Sequence, residues 1–166
     1  APSRAVCWPL QDGRAGLADL WRRFLTWRVP LRWYGVAVLT VPTLVLISLG
    51  MLARLVSPAF APGFTPMLFV FGVVAGLVEE IGWTGFATPR LLKRFSPLTT
   101  GLVLGFLWAT WHGMADFLGN IQTMGPLWPL NFVIYWLLPL TAYRVLMVWV
   151  YSHTRSLLLM QIMHAC

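Results

Sequence analysis

Two adjacent carboxylates, Glu79 and Glu80, interrupt an otherwise apolar stretch that runs from about Met67 to Thr88. An ionised side chain at the depth of a membrane helix costs about 2.5–3.5 kcal/mol even on a lenient scale, so such residues are functional by default. Neighbouring residues on a helix point about 100° apart, so the two carboxylates cannot share one environment. We expect one of them to face a polar cavity and the other to accept a hydrogen bond; the alternative is a structural pair near the interface.

His112 and His164 are the other side chains in the apolar segments that could do chemistry with them. Counted at about 1.5 Å per residue, Glu79, His112 and His164 lie ~15, ~22 and ~13 Å deep in a ~30 Å core. A glutamate hydrogen-bonded to a histidine can act as general base on water while a second histidine donates to an oxyanion. The same three groups could instead hold a divalent metal such as zinc that activates bound water. Spacing does not separate these two forms of hydrolytic chemistry.

The composition indicates that these residues belong to a membrane protein. Of the 166 residues, 58% are hydrophobic and 10% are charged, whereas soluble domains have about 25% charged residues. A soluble chain of this length could not bury so much apolar surface. The net charge of +7 comes from basic residues that lie mainly before the first apolar stretch and between later ones. That is the pattern of cytoplasmic loops, so we expect no nucleic-acid partner.

Hydropathy predicts an all-α, polytopic helical bundle with about five spans, cut at both ends. We interpret residues 1–166 as a single membrane domain, with a basic lead-in over 1–32 and a transmembrane core over 33–166 whose last helix is incomplete. The predicted spans are Trp33–Leu52, about Met67–Thr88, roughly Pro97–Phe117, about Leu130–Val150, and a fifth that begins at Ser156.

The connections between the spans predict their orientation. The segment 57–66 is turn-rich and 119–129 lacks basic residues, so both are expected outside, and the basic lead-in is expected to be cytoplasmic. Tyr151 to Arg155 is expected to form a cytoplasmic turn, and Arg144 is expected to extend its cationic end to the interface.

The lead-in contains one amphipathic segment, residues 16–28. Its three arginines lie on other faces than its apolar residues at helical spacing, which are Leu17, Leu20, Trp21 and Phe24. This pattern is typical of a helix on an anionic membrane surface. A linker helix that packs on protein is the alternative.

Three motifs follow one another along the chain: EEIGWTGFATPRL from Glu79 to Leu91, GFLWATWH ending at His112, and SLLLMQIMH ending at His164. Together they resemble the CPBP family, the CAAX prenyl protease and bacteriocin-processing (Abi) intramembrane proteases. The lead-in RVPLRWYGVAVL over 28–39 is similar to the same family. The resemblance implies an eight-helix-like membrane fold with a four-helix core that carries the motifs. It also implies hydrolysis of peptide bonds near the cytoplasmic side of the bilayer.

The resemblance also implies roles for individual residues. Glu79 matches the general base that activates water, His112 the residue that orients the water, and His164 a residue that stabilises the oxyanion. Glu80 and Trp108 match supporting positions. No cofactor is expected for glutamate-activated water, and zinc held by Glu79, His112 and His164 is the alternative. The implied partners are the lipid bilayer and a peptide or protein substrate that enters from the membrane or the cytoplasm. The implied location is a bacterial plasma membrane.

This chain departs from the family pattern at informative positions. The first motif is commonly EExxxR, and Thr84 occupies the arginine position. A buried arginine would bind a carboxylate through two hydrogen bonds, whereas threonine offers one hydroxyl. Trp108 stands where phenylalanine is frequent, and the last motif continues beyond Cys166 to an Asn or Asp. Two alternatives follow: an inactive family member that acts in bacteriocin immunity or as a scaffold, and a proton-coupled transporter subunit with Glu79 and Glu80 as a relay.

Overall fold

Helices make up nearly all of the regular structure of this chain. The computed structural model describes residues 9–120 and 125–166, and no β-strand occurs within them. The helices are α1 (Pro9–Phe24), α2 (Leu31–Leu55), α3 (Pro66–Leu91), α4 (Pro97–Asn120), α5 (Trp128–Thr154) and α6 (Leu157–Ala165), with a short 3₁₀ turn at Pro58–Phe60. The prediction of an all-α chain is confirmed.

Three helices in the described ranges, α2, α3 and α5, are long and apolar enough to cross a membrane. They have 25, 26 and 27 residues, against the ~20 that a hydrocarbon core requires, and they contain three of the predicted spans. Helix α4 has 24 residues but is not among the three, because threonines, His112 and Asp116 lower its hydropathy. These helices indicate an integral membrane protein. The number of five spans and their orientation stay predictions.

The second and third of these apolar helices each contain a π-helical segment. It covers Ile81–Ala87 in α3 and Phe132–Leu137 in α5. Such segments are rare and frequently occur at functional sites. The first begins directly after Glu80, so the wider turn changes the direction in which the following side chains point. The motif from Glu79 to Leu91 therefore does not lie on regular α-helix throughout.

The described helices belong to two compact units. The first comprises Ala1–Gly85 with Thr154–Cys166, and the second comprises Phe86–His153. The single membrane domain inferred from the sequence stays a prediction.

In the first unit, α6 packs along the α-helical part of α3, and two small residues permit the close approach. Gly72 and Gly76 form a GxxxG pattern in GVVAG, which lets helix backbones approach one another in membranes. A Cβ atom added to Gly76 would lie 3.0 Å from the carbonyl oxygen of Gln161 and 3.0 Å from Cβ of His164. The absence of a side chain at this position therefore sets the distance between α3 and α6.

We expect Gly76→Val to push α6 away from α3. Overpacking of a well-packed site usually lowers the free energy of unfolding by about 1–3 kcal/mol. Thermal unfolding of the detergent-solubilised protein measures this loss. The matched control is Gly50→Val in α2, since a Cβ atom at Gly50 meets nothing within 4 Å. Equal stability of the two variants would contradict the close packing.

In the second unit, α4 and α5 also approach each other closely at two glycines. Gly101 and Gly105 form a second GxxxG pattern, GLVLG. Added Cβ atoms would lie 2.6 Å from the Cα atoms of Val145 and Thr141, respectively. The backbones of α4 and α5 therefore pack in direct contact.

The structure corrects two sequence predictions in this region. Helix α5 continues to Thr154, so the predicted turn over Tyr151 to Arg155 is reduced to its end, where Arg155 has a φ of 53°. Arg144 was expected to reach the interface, but it is fully buried at 0% exposure. Its guanidinium carbon lies 4.2 Å from the centre of the Trp108 ring. The face of the indole attracts the cation in place of water.

Candidate functional site

Glu80 and His164 form a buried carboxylate–imidazole pair in the first unit. Glu80 ends the α-helical part of α3, and His164 lies in the last turn of α6. Nδ1 of His164 lies 2.9 Å from Oε1 of Glu80, and the two side chains are 7% and 0% exposed. Because little water reaches the pair, the imidazole ring is held in one orientation by the carboxylate.

Thr84 binds the other oxygen of the same carboxylate. Its hydroxyl donates a 2.5 Å hydrogen bond to Oε2 of Glu80, and both residues are buried. Thr84 lies inside the π-helical segment, one turn after Glu80. Both oxygens of the carboxylate therefore have a partner, as buried polar groups require. The threonine at the position where the motif commonly has arginine is thus a direct contact of the acidic residue.

The carboxylate–imidazole pair can supply either a base or a donor at Nε2 of His164. When Nδ1 carries a proton and donates it to Glu80, the neutral imidazole has its lone pair on Nε2. One further proton on the pair places N–H at Nε2 as well, with Glu80 as the counter-ion. The same arrangement orients the catalytic histidine in acyl-transfer enzymes. Hydrolytic chemistry is therefore available to this pair.

Glu79 lies in a different environment from Glu80, as the sequence predicts. It is half-buried, and Nε1 of Trp83 donates a 3.4 Å hydrogen bond to its Oε2. The bond joins residues one helical turn apart on the same face of α3, so it restrains the Glu79 side chain. Part of the Glu79 carboxylate therefore lies at the surface of this unit, whereas Glu80 is fully buried.

Gln161 is a residue that the sequence analysis missed. Its Nε2 donates a 3.2 Å hydrogen bond to the carbonyl oxygen of Leu77, and its side chain is buried. Gln161 precedes His164 by three residues, and Leu77 precedes Glu80 by three, so this bond lies about one helical turn from the acid–imidazole pair. It fixes α6 against α3 at that level. The sequence does contain one sign of its role, since Gln161 is the single amide in the apolar sequence LLLMQIMH.

His112 lies in the second unit, and aromatic rings hold it there. It stacks on Trp136 with the ring centres 5.4 Å apart and the planes 1° from parallel. The edge of Trp108 meets it at 5.4 Å and 73°. These two contacts fix the plane of the imidazole. Trp136 was not predicted, because nothing in its spacing from His112 indicates that the two rings meet.

No group of three His, Cys, Asp or Glu side chains within the described residues is arranged to hold a metal ion. A catalytic zinc site requires three protein ligands, and the Glu80–His164 pair supplies two. Zinc on Glu79, His112 and His164 stays a prediction from the sequence.

Comparisons with known proteins identify the relatives of this chain. The family model of the Rce1-like type II CAAX prenyl endopeptidases matches residues 61–166. CAAX prenyl protease 2 of Methanococcus maripaludis is 34% identical over 62 residues. That match covers 37% of this chain and 22% of the relative, so the chain matches about a fifth of the relative's length. No solved structure matches.

Proposed function

The chain belongs to the Rce1-like family of type II CAAX prenyl endopeptidases, and from this we propose that it is an intramembrane endopeptidase that hydrolyses a peptide bond with glutamate-activated water. The observation that carries the proposal is the buried pair of Glu80 and His164, with Nδ1 and Oε1 2.9 Å apart. In this proposal the half-buried Glu79 is the base for water and the fixed imidazole of His164 is the donor for the oxyanion, which are the two functions that peptide hydrolysis needs.

In the proposed reaction, Glu79 removes a proton from a water molecule, and the water oxygen bonds to the carbonyl carbon of the substrate. The carbonyl electron pair moves to its oxygen, which accepts a hydrogen bond from Nε2–H of His164. The carbon–nitrogen bond then breaks, and the proton held by Glu79 passes to the leaving amine. Water is the sole co-reactant, and the products are a carboxylic acid and an amine.

Glu80 and Thr84 act through His164 in this proposal. Glu80 keeps Nδ1 of the imidazole engaged, so that Nε2 is the nitrogen that serves the substrate. Thr84 fixes the carboxylate through its 2.5 Å hydrogen bond. His112 is included on the family resemblance, as the residue that orients the water. The substrate is a protein or peptide, and a prenylated C-terminal CAAX sequence is the first class to test, since it is named in the family's description.

The proposal is tested by the fate of the water oxygen. The full-length protein is reconstituted in lipid vesicles and incubated with a farnesylated CAAX peptide, or with the same peptide unprenylated, in oxygen-18-enriched water. We expect a peptide product that carries one oxygen-18 atom in its new carboxylate, at a rate unchanged by a zinc chelator. Cleavage without oxygen-18 would exclude direct attack by water, and inhibition by the chelator would favour the metal alternative.

We expect Trp136→Ala to lower kcat for the probe peptide with little change in KM. Removal of the stacked ring releases the imidazole of His112, and an aromatic pair is worth about 0.5–1.5 kcal/mol beyond its buried area. A fall in kcat of roughly two- to tenfold follows, and Trp136→Phe should retain most of the activity. The matched control is Tyr135→Ala, since the adjacent Tyr135 is exposed. Equal losses in the two alanine variants would show that Trp136 does not position His112.

The second candidate function is an inactive family member that acts in immunity to a bacteriocin or as a membrane scaffold. Thr84 favours it, because a hydroxyl replaces the cation that the motif commonly brings to this carboxylate. If this function is correct, the native protein is inert toward both probe peptides and Thr84→Arg creates cleavage. Under the peptidase proposal, Thr84→Ser retains activity, and Thr84→Val loses it, because valine leaves Oε2 of the buried Glu80 without the hydroxyl donor. Cleavage rates of these three variants separate the two functions.

A further inference from the structure

Helix α1 is fixed to the first unit along one face. The Cδ1 atom of Leu20 lies 2.8 Å from where a Cβ atom of Gly85 would be. After the helix ends, the carbonyl oxygen of Thr26 accepts a 2.5 Å hydrogen bond from the hydroxyl of Ser156, the residue that caps α6. These contacts settle which side of α1 faces protein. The side of α1 that contains Leu20 therefore packs on the first unit.

The adjacent side of α1, centred on Trp21 about 100° around the helix from Leu20, is apolar and exposed. Leu17, Trp21 and Leu25 are 58%, 59% and 54% exposed. Leu25 follows the last residue of α1, but its N–H still donates a 2.9 Å hydrogen bond to the carbonyl of Trp21, so it continues the helical turn. At about 100° per residue the three side chains fall within about 80° of one another. We refer to Leu17, Trp21 and Leu25 as the outer face.

Basic residues surround the outer face. Residues 13–34 contain five arginines and one acidic residue, Asp19. Asp19 is paired with Arg22 and Arg23, whereas Arg14 and Arg28 are exposed beside the face, with Arg28 over the ring of Trp27 at 5.0 Å. An exposed apolar stripe bordered by arginines complements a surface that is apolar inside and negatively charged outside.

The start of α2 places the outer face near such a surface. Helix α2 is apolar enough to cross a membrane and begins at Leu31. The segment from Phe24 to Leu31 therefore spans at most about 25 Å even when fully extended. It is not fully extended, since the hydroxyl of Tyr34 donates a 2.6 Å hydrogen bond back to the carbonyl of Trp27. The outer face thus lies within reach of the boundary where α2 enters the bilayer.

We propose that the outer face of α1 docks on the anionic phospholipids of the membrane that α2 crosses. Leucine and tryptophan side chains enter the boundary between headgroups and acyl chains, and the flanking arginines bind lipid phosphates. Each arginine near an anionic surface strengthens such binding roughly fivefold. The docking holds the protein-facing side of α1 against α3 and α6. Docking of α1 does not require peptidase activity, so this proposal can be correct even if the proposed function is wrong.

Spin labels on the full-length protein test the proposal. Cys7 and Cys166 are replaced by serine, and one nitroxide is attached at Leu17→Cys. The matched control label is at Ala15→Cys, which is exposed but points away from the outer face. The protein is reconstituted in phosphatidylcholine vesicles with or without phosphatidylglycerol. With phosphatidylglycerol, we expect the label at position 17 to gain collisions with oxygen and lose collisions with a water-soluble nickel chelate, while the label at position 15 stays accessible to the chelate.

Charge variants complete the test. Arg14→Gln combined with Arg28→Gln should lower the ratio of docked to undocked label at position 17 by roughly fivefold for each arginine lost, and high salt should lower it as well. Arg54→Gln combined with Arg94→Gln removes the same charge elsewhere and should change nothing. The proposal is overturned if the label at 17 stays in water, or if it inserts equally into pure phosphatidylcholine. Shielding of that label from both oxygen and the chelate would also overturn it, since a protein surface would then cover the face.

Discussion

Replacement of Glu79 by Gln is expected to abolish peptide cleavage by the full-length protein while its amount in the membrane stays unchanged. The amide has nearly the volume of the carboxylate and can still accept the hydrogen bond from Nε1 of Trp83, so the local structure should persist. It cannot take a proton from water, however. A positioned general base contributes about 10²–10⁴ to the rate, and we expect a loss of at least that size in the initial rate on the farnesylated probe peptide.

Two companion variants make this result specific. Glu79→Asp retains a base but displaces it, so a partial rate is expected from it, and His112→Ala should fall to the level of Glu79→Gln. Undiminished turnover in Glu79→Gln would remove Glu79 from the reaction. The base would then be Nε2 of His164, with Glu80 as its orienting carboxylate, because that pair has the geometry for the role.

The sequence predicts the location of the site better than its internal connections. Burial of two carboxylates in an apolar segment is costly whatever the fold, so Glu79 and Glu80 could be singled out before any helix packing was known. The pairing of Glu80 with His164 could not, because it joins residues 84 apart in sequence and depends on how closely α6 approaches α3. The GVVAG pattern contains that information, but a pattern of small residues does not say which helix it meets.

Other features could not be predicted from periodicity at all. The π-helical segment after Glu80 changes the direction of Thr84 relative to a regular helix, and a regular 3.6-residue period was assumed in the sequence analysis. Arg144 was misjudged for a related reason. Its position near the end of an apolar segment favours an arginine that reaches the interface, and only the three-dimensional structure reveals the Trp108 ring that replaces water as its partner.

The largest effect on stability is expected at the pair itself. Glu80→Leu leaves the buried imidazole of His164 and the hydroxyl of Thr84 without their shared acceptor. Each buried group that loses its hydrogen-bond partner usually lowers the free energy of unfolding by about 1–3 kcal/mol, and Glu80→Leu affects two such groups. His164→Leu should also be destabilising, because it removes the imidazole from the same buried carboxylate. The double variant replaces both groups with apolar side chains and should recover part of the loss. Unfolding of the detergent-solubilised variants by heat measures each effect.

The double-mutant cycle separates a functional pair from two independent residues. Groups in one hydrogen-bonded network couple by about 0.5–3 kcal/mol, so the double variant should be more stable than the sum of the single effects predicts. Glu79→Leu is the matched control, since the carboxylate of Glu79 is only half-buried and should show no such coupling to His164. Activity should be non-additive as well: residues that act as a unit lose nearly the same rate singly and together. Additive losses in both stability and rate would mean that the 2.9 Å contact joins two residues without a common role, and His164 would then act in catalysis without the help of Glu80.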